Sequence, residues 1–266
     1  MKYIQFSEKG PRMNNEDCLN IVEIADKRTL FVVCDGMGGH SCGEVASQTV
    51  CDAFSEYWQQ HSEEPDSEQK VLNAAKVASK TLDDKSGYYQ MGTTLVMCSI
   101  EGKKATIAHA GDSRCYVIDI KGNVKYRTID HIESSSISLP FINRAFFTRH
   151  PEDAVPDVKV VELQPFDRIL LCTDGLYNAI DDEVLLHTLQ CAKDVEQVAD
   201  KFRAICQEKQ EITTLPLLLR WNSKILIYLR RCLSIIIGGH FSFCDRKRLL
   251  SSLSKHIQIS RQKYND

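Results

Sequence analysis

The chain has 266 residues, 43% of them hydrophobic, and a formal net charge of −3. That is enough apolar material for a large core, and it excludes a disordered, collagen-like or coiled-coil chain. The charge is unevenly placed. Residues 224–266 carry nine Lys or Arg against two Asp, a net of +7, which leaves −10 on residues 1–223, so the body lacks the basic surface of a nucleic-acid binder.

In chain order, the pattern predicts a short strand at Tyr3–Phe6 and two strands, 18–25 and 29–34, around a charged turn at Asp26–Arg28. The second runs into Asp35 and the glycine-rich DGMGGHSCG, where backbone can approach a ligand closely. Amphipathic helices are predicted from about Gly43 to His61 and from Glu68 to Leu82. Strands return at Thr93–Ile100, Lys104–Ala110, Arg114–Ile120 and Val124–Arg127, the first and last pairings read as hairpins around Gly102 and Gly122. Residues 131–156 hold no clear long element. Val158–Leu163 and Arg168–Cys172 read as a strand pair, and helices at 181–190 and 194–207 precede a final strand at 212–219. Locally paired strands with few helices predict an α+β fold of antiparallel sheets covered by helices.

Three of the eleven cysteines bear on location. Cys34, Cys98 and Cys172 end apolar runs and read as buried thiols of a reducing compartment. No CxxC pair suggests structural zinc, and no cysteine sits in a phosphate-cradling loop ending in arginine. The N-terminus, MKYIQFSEKG, carries no apolar signal region, so a cytoplasmic location is expected. Residues 225–237, ILIYLRRCLSIII, are apolar but interrupted by Arg230 and Arg231, and fall short of the about 17–25 residues that span a bilayer.

The chemistry-bearing groups are carboxylates, most of the aspartates among them beside glycines. Glu16 and Asp17 lie in RMNNED, Asp35 and Asp174 each end an apolar strand before a glycine, and Asp112 lies in AHAGDSR. Oxygen ligands at strand ends suit hard cations such as Mg²⁺ and Mn²⁺, although any one Asp-Gly alone is an ordinary turn. Taken together and in order, Arg12–Asp17, Asp35–Ser47, Gly92–Thr94, Ala108–Tyr116 and Thr173–Leu176 resemble the metal-dependent serine/threonine protein phosphatase family of type 2C, in a bacterial-like form with Met37 where many eukaryotic members carry His. The resemblance covers residues 1 to about 215.

That resemblance implies a four-layer sandwich, two central antiparallel sheets flanked by helices, and phosphomonoester hydrolysis with two Mn²⁺ or Mg²⁺ ions, with a third, weaker ion as an option. It implies that Asp35 bridges the pair beside the Gly36 carbonyl, that Asp17 and Asp174 complete the site, that Glu16 holds water there, and that Asp112 serves the third ion. Arg12 matches the phosphate-binding arginine, whose guanidinium grips two oxygens at once. His40 reads either as a group positioning water or as a structural residue, and His131 as a local hydrogen-bonding residue. Thr93 and Thr94 read as part of the core sheet, not as nucleophiles.

The pattern departs from the family at Gln210, which stands where a last metal-binding aspartate belongs; Glu211 replaces that carboxylate only if the loop slips by one residue. The segment between His131 and Asp157 is short beside the family's substrate flap, and Asn143–Arg149 is a blurred copy of its closing motif. Residues 1–222 are thus expected to form the catalytic domain and 223–266 a basic extension. The implied partner is a phosphorylated protein substrate, opposing a serine/threonine kinase, with no nucleic acid and no membrane span. A catalytically weak phosphoprotein-binding module remains the alternative.

Overall fold

The computed structural model describes residues 1–7, 14–24, 28–37, 42–134, 140–209 and 218–219. The elements in order are β1 (Asp17–Ile24), β2 (Arg28–Asp35), α1 (Gly43–Gln60), α2 (Glu68–Ser86), β3 (Gly92–Thr93), β4 (Leu95–Glu101), β5 (Lys104–Ala110), β6 (Arg114–Ile118) and β7 (Val124–Arg127). After them come β8 (Ile132–Glu133), β9 (Phe141–Ile142), β10 (Phe146–Phe147), β11 (Asp157–Glu162), β12 (Arg168–Cys172), α3 (Asp174–Ala179), α4 (Asp182–Cys191), α5 (Val195–Lys209) and β13 (Leu218–Leu219).

Two antiparallel sheets carry the structure, one in the order β1-β2-β4-β5-β11 and the other β13-β12-β6-β7. Side chains alternate across a strand, and here both faces find a core. In β2, Leu30, Val32 and Cys34 join a cluster with α1 and α2, while Phe31 and Val33 turn the other way. In β4, Leu95 and Met97 face the helices, and Val96, Cys98 and Ile100 turn away. The second sheet mirrors this. Cys115, Val117, Ile169 and Leu171 meet Phe31, Val33 and Val96 between the sheets, whereas Tyr116, Ile118, Leu170 and Cys172 pack outward with residues of α3, α4 and α5. Three apolar clusters therefore separate four layers, helices–sheet–sheet–helices. Burial on both faces is why these strands read as unbroken apolar runs.

The expected hairpins form. Glu101 pairs with Lys104 across Gly102, whose φ is +58°, and β6 pairs with β7 across a turn in which Gly122 adopts φ +87°. Ser67 starts α2 by accepting from the Lys70 N–H at 3.2 Å. Cys34, Cys98 and Cys172 are fully buried.

Four expectations need correction. Tyr3–Phe6 is not a strand: Phe6 is buried against the outer helices and Tyr3 sets its ring edge-on to Phe31, so the apolar alternation there reflects two separate docking points. The single strand expected at Thr93–Ile100 breaks at Thr94, whose N–H turns to the Asp35 carbonyl at 2.9 Å. Strand β6 stops at Ile118, and Ile120 is exposed. The strands β11 and β12 are not partners; β11 pairs with β5 and β12 with β6, so the turn between them carries the chain from one sheet to the other. Within the final strand expected at 212–219, Leu218–Leu219 is described, and it pairs with β12. Among the described residues no helix is long and apolar enough to cross a membrane; residues 223–266 lie outside them.

Candidate active site

Asp17 opens β1 and Asp35 closes β2, and the antiparallel register sets them directly opposite one another. Like charges in that position repel. Asp174, at the first turn of α3, comes from the end of β12 in the second sheet, and Asp112 lies in the bend between β5 and β6. The four converge. The Asp35 carboxyl is held well above the usual carboxylate range, first by loss of hydration and then by the charges of Asp17, Asp174 and Asp112. Asp112 is pushed up to about 6, mainly by burial and then by Asp174, with the Tyr177 hydroxyl pulling it back.

The backbone under Asp35 is fully engaged. Its N–H donates to Thr94 Oγ1 at 3.0 Å, and its carbonyl accepts from Thr94 N–H and from Thr93 Oγ1 at 2.8 Å. Thr94 Oγ1 also lies 2.7 Å from Ser113 Oγ, which ties the Asp35 strand end to the Asp112 bend. The Gly36 N–H donates to the Glu16 carbonyl at 3.0 Å. A Cβ on Gly36 would sit 2.3 Å from the Gly43 carbonyl oxygen and 2.6 Å from that of Glu16, so only glycine fits between the start of α1 and the Glu16–Asp17 segment.

Three groups not singled out in the sequence orient the carboxylates. Thr173 Oγ1 donates to Asp17 Oδ2 at 3.0 Å, Asn178 Nδ2 to Asp174 Oδ2 at 3.3 Å, and Tyr177 OH to Asp112 Oδ2 at 3.2 Å and to its carbonyl at 3.1 Å. Arg114 lies over the Tyr177 ring at 3.5 Å. The helix α3 places Tyr177 and Asn178, and Thr173 stands just before it; six residues long, the helix is too short to leave a periodic signal, and TDGL reads as a turn.

The donor set fits hard divalent cations. Four carboxylates sit where one is driven toward protonation by the others, and Glu16 Oε2 is buried without a hydrogen-bond partner. Buried acceptors are ordinarily satisfied, and a cation or the water around one meets both needs. Arg12, His40, Gln210 and Glu211 lie outside the described residues. Among the described residues, two other groups of side chains are close enough to share an ion, His109 with His131 and Asp157, and His150 with Glu152 and Asp153.

Known proteins place this arrangement. The family model described as protein phosphatase 2C matches residues 10–213. The chain is similar to the serine/threonine phosphatase stp of Listeria innocua, 28% identical over 214 residues, spanning 72% of this chain and 83% of that one. It is also similar to the serine/threonine protein phosphatase PstP of Mycobacterium tuberculosis, 30% identical over 71% of this chain and 39% of that longer protein. Among solved structures, Stp1 from Staphylococcus aureus superposes with a TM-score of 0.70 at 26% identity, over 82% of this chain and 93% of Stp1. The PstP catalytic domain in complex with two manganese ions superposes with a TM-score of 0.65 at 27% identity, over 82% and 96%. With its four layers, its converging carboxylates and a family match across most of its length, this chain belongs to the protein phosphatase 2C family.

Proposed function

We propose that the chain hydrolyses phosphoserine and phosphothreonine in proteins, with two Mn²⁺ or Mg²⁺ ions held by Asp17, Asp35, the Gly36 carbonyl and Asp174, and a third, weaker site at Asp112. The observation that carries this reading is Asp35, half-buried at the end of β2 in the field of three other carboxylates, an arrangement that costs stability without cations to balance it. The ions supply Lewis acidity, making water a better nucleophile and offsetting charge on the phosphoryl oxygens. The chain's own groups orient: Thr173, Asn178 and Tyr177 fix three carboxylates by hydrogen bonds, and Glu16 aims a buried, unpartnered oxygen suited to holding a water. Arg12 is assigned the phosphate, by its place in the family motif.

The substrate is taken to be a phosphoprotein opposed by a serine/threonine kinase, in the cytoplasm, in keeping with the buried free thiols. The +7 tail at 224–266 suits docking onto the −10 body or onto an acidic partner; if deletion of 224–266 leaves solubility, oligomeric state and partner binding unchanged, that role is lost. Gln210 keeps the binding-module reading alive, because it removes a charge from the ion set.

The deciding measurement is the initial rate on a phosphothreonine peptide against Mn²⁺ concentration for wild type, Asp35→Asn, Gln210→Asp and Glu211→Gln. Loss of activity in Asp35→Asn and a lower Mn²⁺ requirement in Gln210→Asp are expected. Full activity in Asp35→Asn would refute the ion assignment. A large loss in Glu211→Gln would show that Glu211 takes the missing aspartate's place.

A further inference from the structure

His131 grips one residue at two points. Its backbone N–H donates to the Gly111 carbonyl at 3.0 Å, and its Nδ1 accepts from the Gly111 N–H at 3.2 Å. Because Nδ1 faces a donor, the ring proton belongs on Nε2, which meets Asp157 Oδ2 at 3.2 Å. The other Asp157 oxygen accepts from Arg144, whose Nη1 also lies 3.3 Å from His131 Nε2. On the inner side the His109 ring stacks on His131 with centroids 4.5 Å apart and planes within 10°. His109 is itself held by donating from Nε2 to the Ile129 carbonyl at 2.8 Å, and β-pairing sets it opposite Asp157.

Spacing alone makes His109, His131 and Asp157 resemble an ion site, but the geometry opposes one. Nitrogen lone pairs lie in the ring plane, and two parallel, stacked rings cannot aim theirs at one point. Both nitrogens of His131 are engaged, and the Arg144 guanidinium brings a positive charge to the same place. The cluster is a brace.

What it braces is next to the carboxylates. Gly111 has φ +113°, and a Cβ there would sit 2.7 Å from Thr94 Cβ and Cγ2, so Gly111 is pressed between Thr94 and His131. Thr94 in turn bonds the Asp35 N–H and contacts Ser113. Asp112 therefore leaves a residue that is clamped on both sides. We propose that His131, backed by His109 and Asp157, is a positioning residue that fixes the Gly111–Asp112 turn and so sets the Asp112 carboxylate against Asp35 and Asp174. The proposal rests on the reading of Asp112 as a cation ligand given above.

Three substitutions separate the ring's two jobs. His131→Asn keeps an acceptor near the Nδ1 position and loses the stack; His131→Phe keeps the stack and loses the acceptor; His131→Gln loses the acceptor at Nδ1 while retaining a polar group toward Asp157, and replaces the Phe variant should that not fold. Two readouts are taken on the full chain: hydrogen exchange of the Gly111 and Asp112 amides in the metal-free protein, and Mn²⁺ binding by titration calorimetry. His131→Phe and His131→Gln should lose protection of the Gly111 amide and weaken the weakest Mn²⁺ site by about 10–100-fold, the range for groups that orient metal ligands. His131→Asn should retain both to within about threefold of wild type. The proposal is overturned if all variants behave as wild type, or if His131→Asn is as defective as His131→Phe. Lost protection with unchanged Mn²⁺ binding also overturns it, and if Asp112→Asn is then equally silent, the fault lies with the cation role of Asp112 and not with the brace.

Discussion

The Thr173 hydroxyl donates to Asp17 Oδ2 at 3.0 Å, joining the residue that follows β12, an inner strand of the second sheet, to the first residue of the first sheet's edge strand. Thr173 is fully buried, so its hydroxyl has little freedom to do otherwise. Thr173→Val keeps the shape and deletes the donor. We expect about 1 kcal/mol less stability and roughly 10-fold weaker Mn²⁺ binding. Calorimetric titration with Mn²⁺ checks it; unaltered affinity would leave the bond a purely structural one.

Asp35→Asn should separate stability from activity. In the metal-free protein it replaces a half-buried carboxyl whose ionisation is opposed by lost hydration and by three other carboxylates, so the melting temperature without cations at neutral pH should rise. Hydrolysis should fall on the order of 10²–10³-fold or more, the scale of losing one preorganised electrostatic contact. Differential scanning calorimetry in chelator, paired with a phosphopeptide assay, tests both halves. A lower melting temperature in chelator would mean that Asp35 is not under electrostatic strain.

The pH dependence of the metal-free fold follows from the same carboxylates. Asp112 is raised from the ordinary 3.8 to about 6, and Asp35 is raised as well. A carboxyl whose folded pKa exceeds its unfolded one binds its proton more tightly when folded. It therefore adds stability that is complete below about pH 4 and vanishes as pH rises through the folded value. Between pH 5 and 7.5 the metal-free melting temperature should fall on account of these groups, and the gain on adding saturating Mn²⁺ should be larger at pH 7.5, where protons compete less for Asp112. A metal-free melting temperature that holds or climbs over that interval would contradict this.

Gly36→Ala should be poorly tolerated. Its Cβ would overlap the backbone of both Gly43 and Glu16, and neither is a flexible side chain that can swing away. A cost of about 1–3 kcal/mol is expected for such overpacking, with a loss of activity larger than the stability change alone explains because Glu16, Asp17 and Asp35 are displaced together. Urea denaturation and the peptide assay measure the two. Wild-type behaviour in both would mean that the loop relaxes freely.

Much of this was legible in the residues. Asp35, Asp112 and Asp174 each stand beside glycine near the end of an apolar strand, Asp17 opens another strand, and the structure brings all four together. The layers were less legible, because a strand buried on both faces, such as LFVVC, does not say which side faces helices and which faces a second sheet. Tyr177 and Asn178 went unread for a different reason: they act through a six-residue helix whose existence depends on its neighbours and not on its own periodicity. The misassigned β11–β12 pairing has the same origin. Two strands joined by a short turn usually pair, and only the need to fill the space between the sheets, with Val161 and Leu163 on one side and Ile169 and Leu171 on the other, sends them apart.

The apolar seam between the sheets is built from Phe31, Val33, Val96, Cys115, Val117, Ile169 and their neighbours. Hydrophobic contact resists separation but is non-directional, so it does little by itself to define how far one sheet has slid along the other. That sliding coordinate is the one that sets Asp17 and Asp35 apart from Asp174. Substituting Ile169 or Cys115 with a bulkier or smaller residue, well away from any phosphate, therefore acts on the catalytic spacing as surely as a change in the site. A misplacement of about 1 Å is worth up to 10²-fold in rate, which makes the middle of this sandwich an adjustable gauge for its rim.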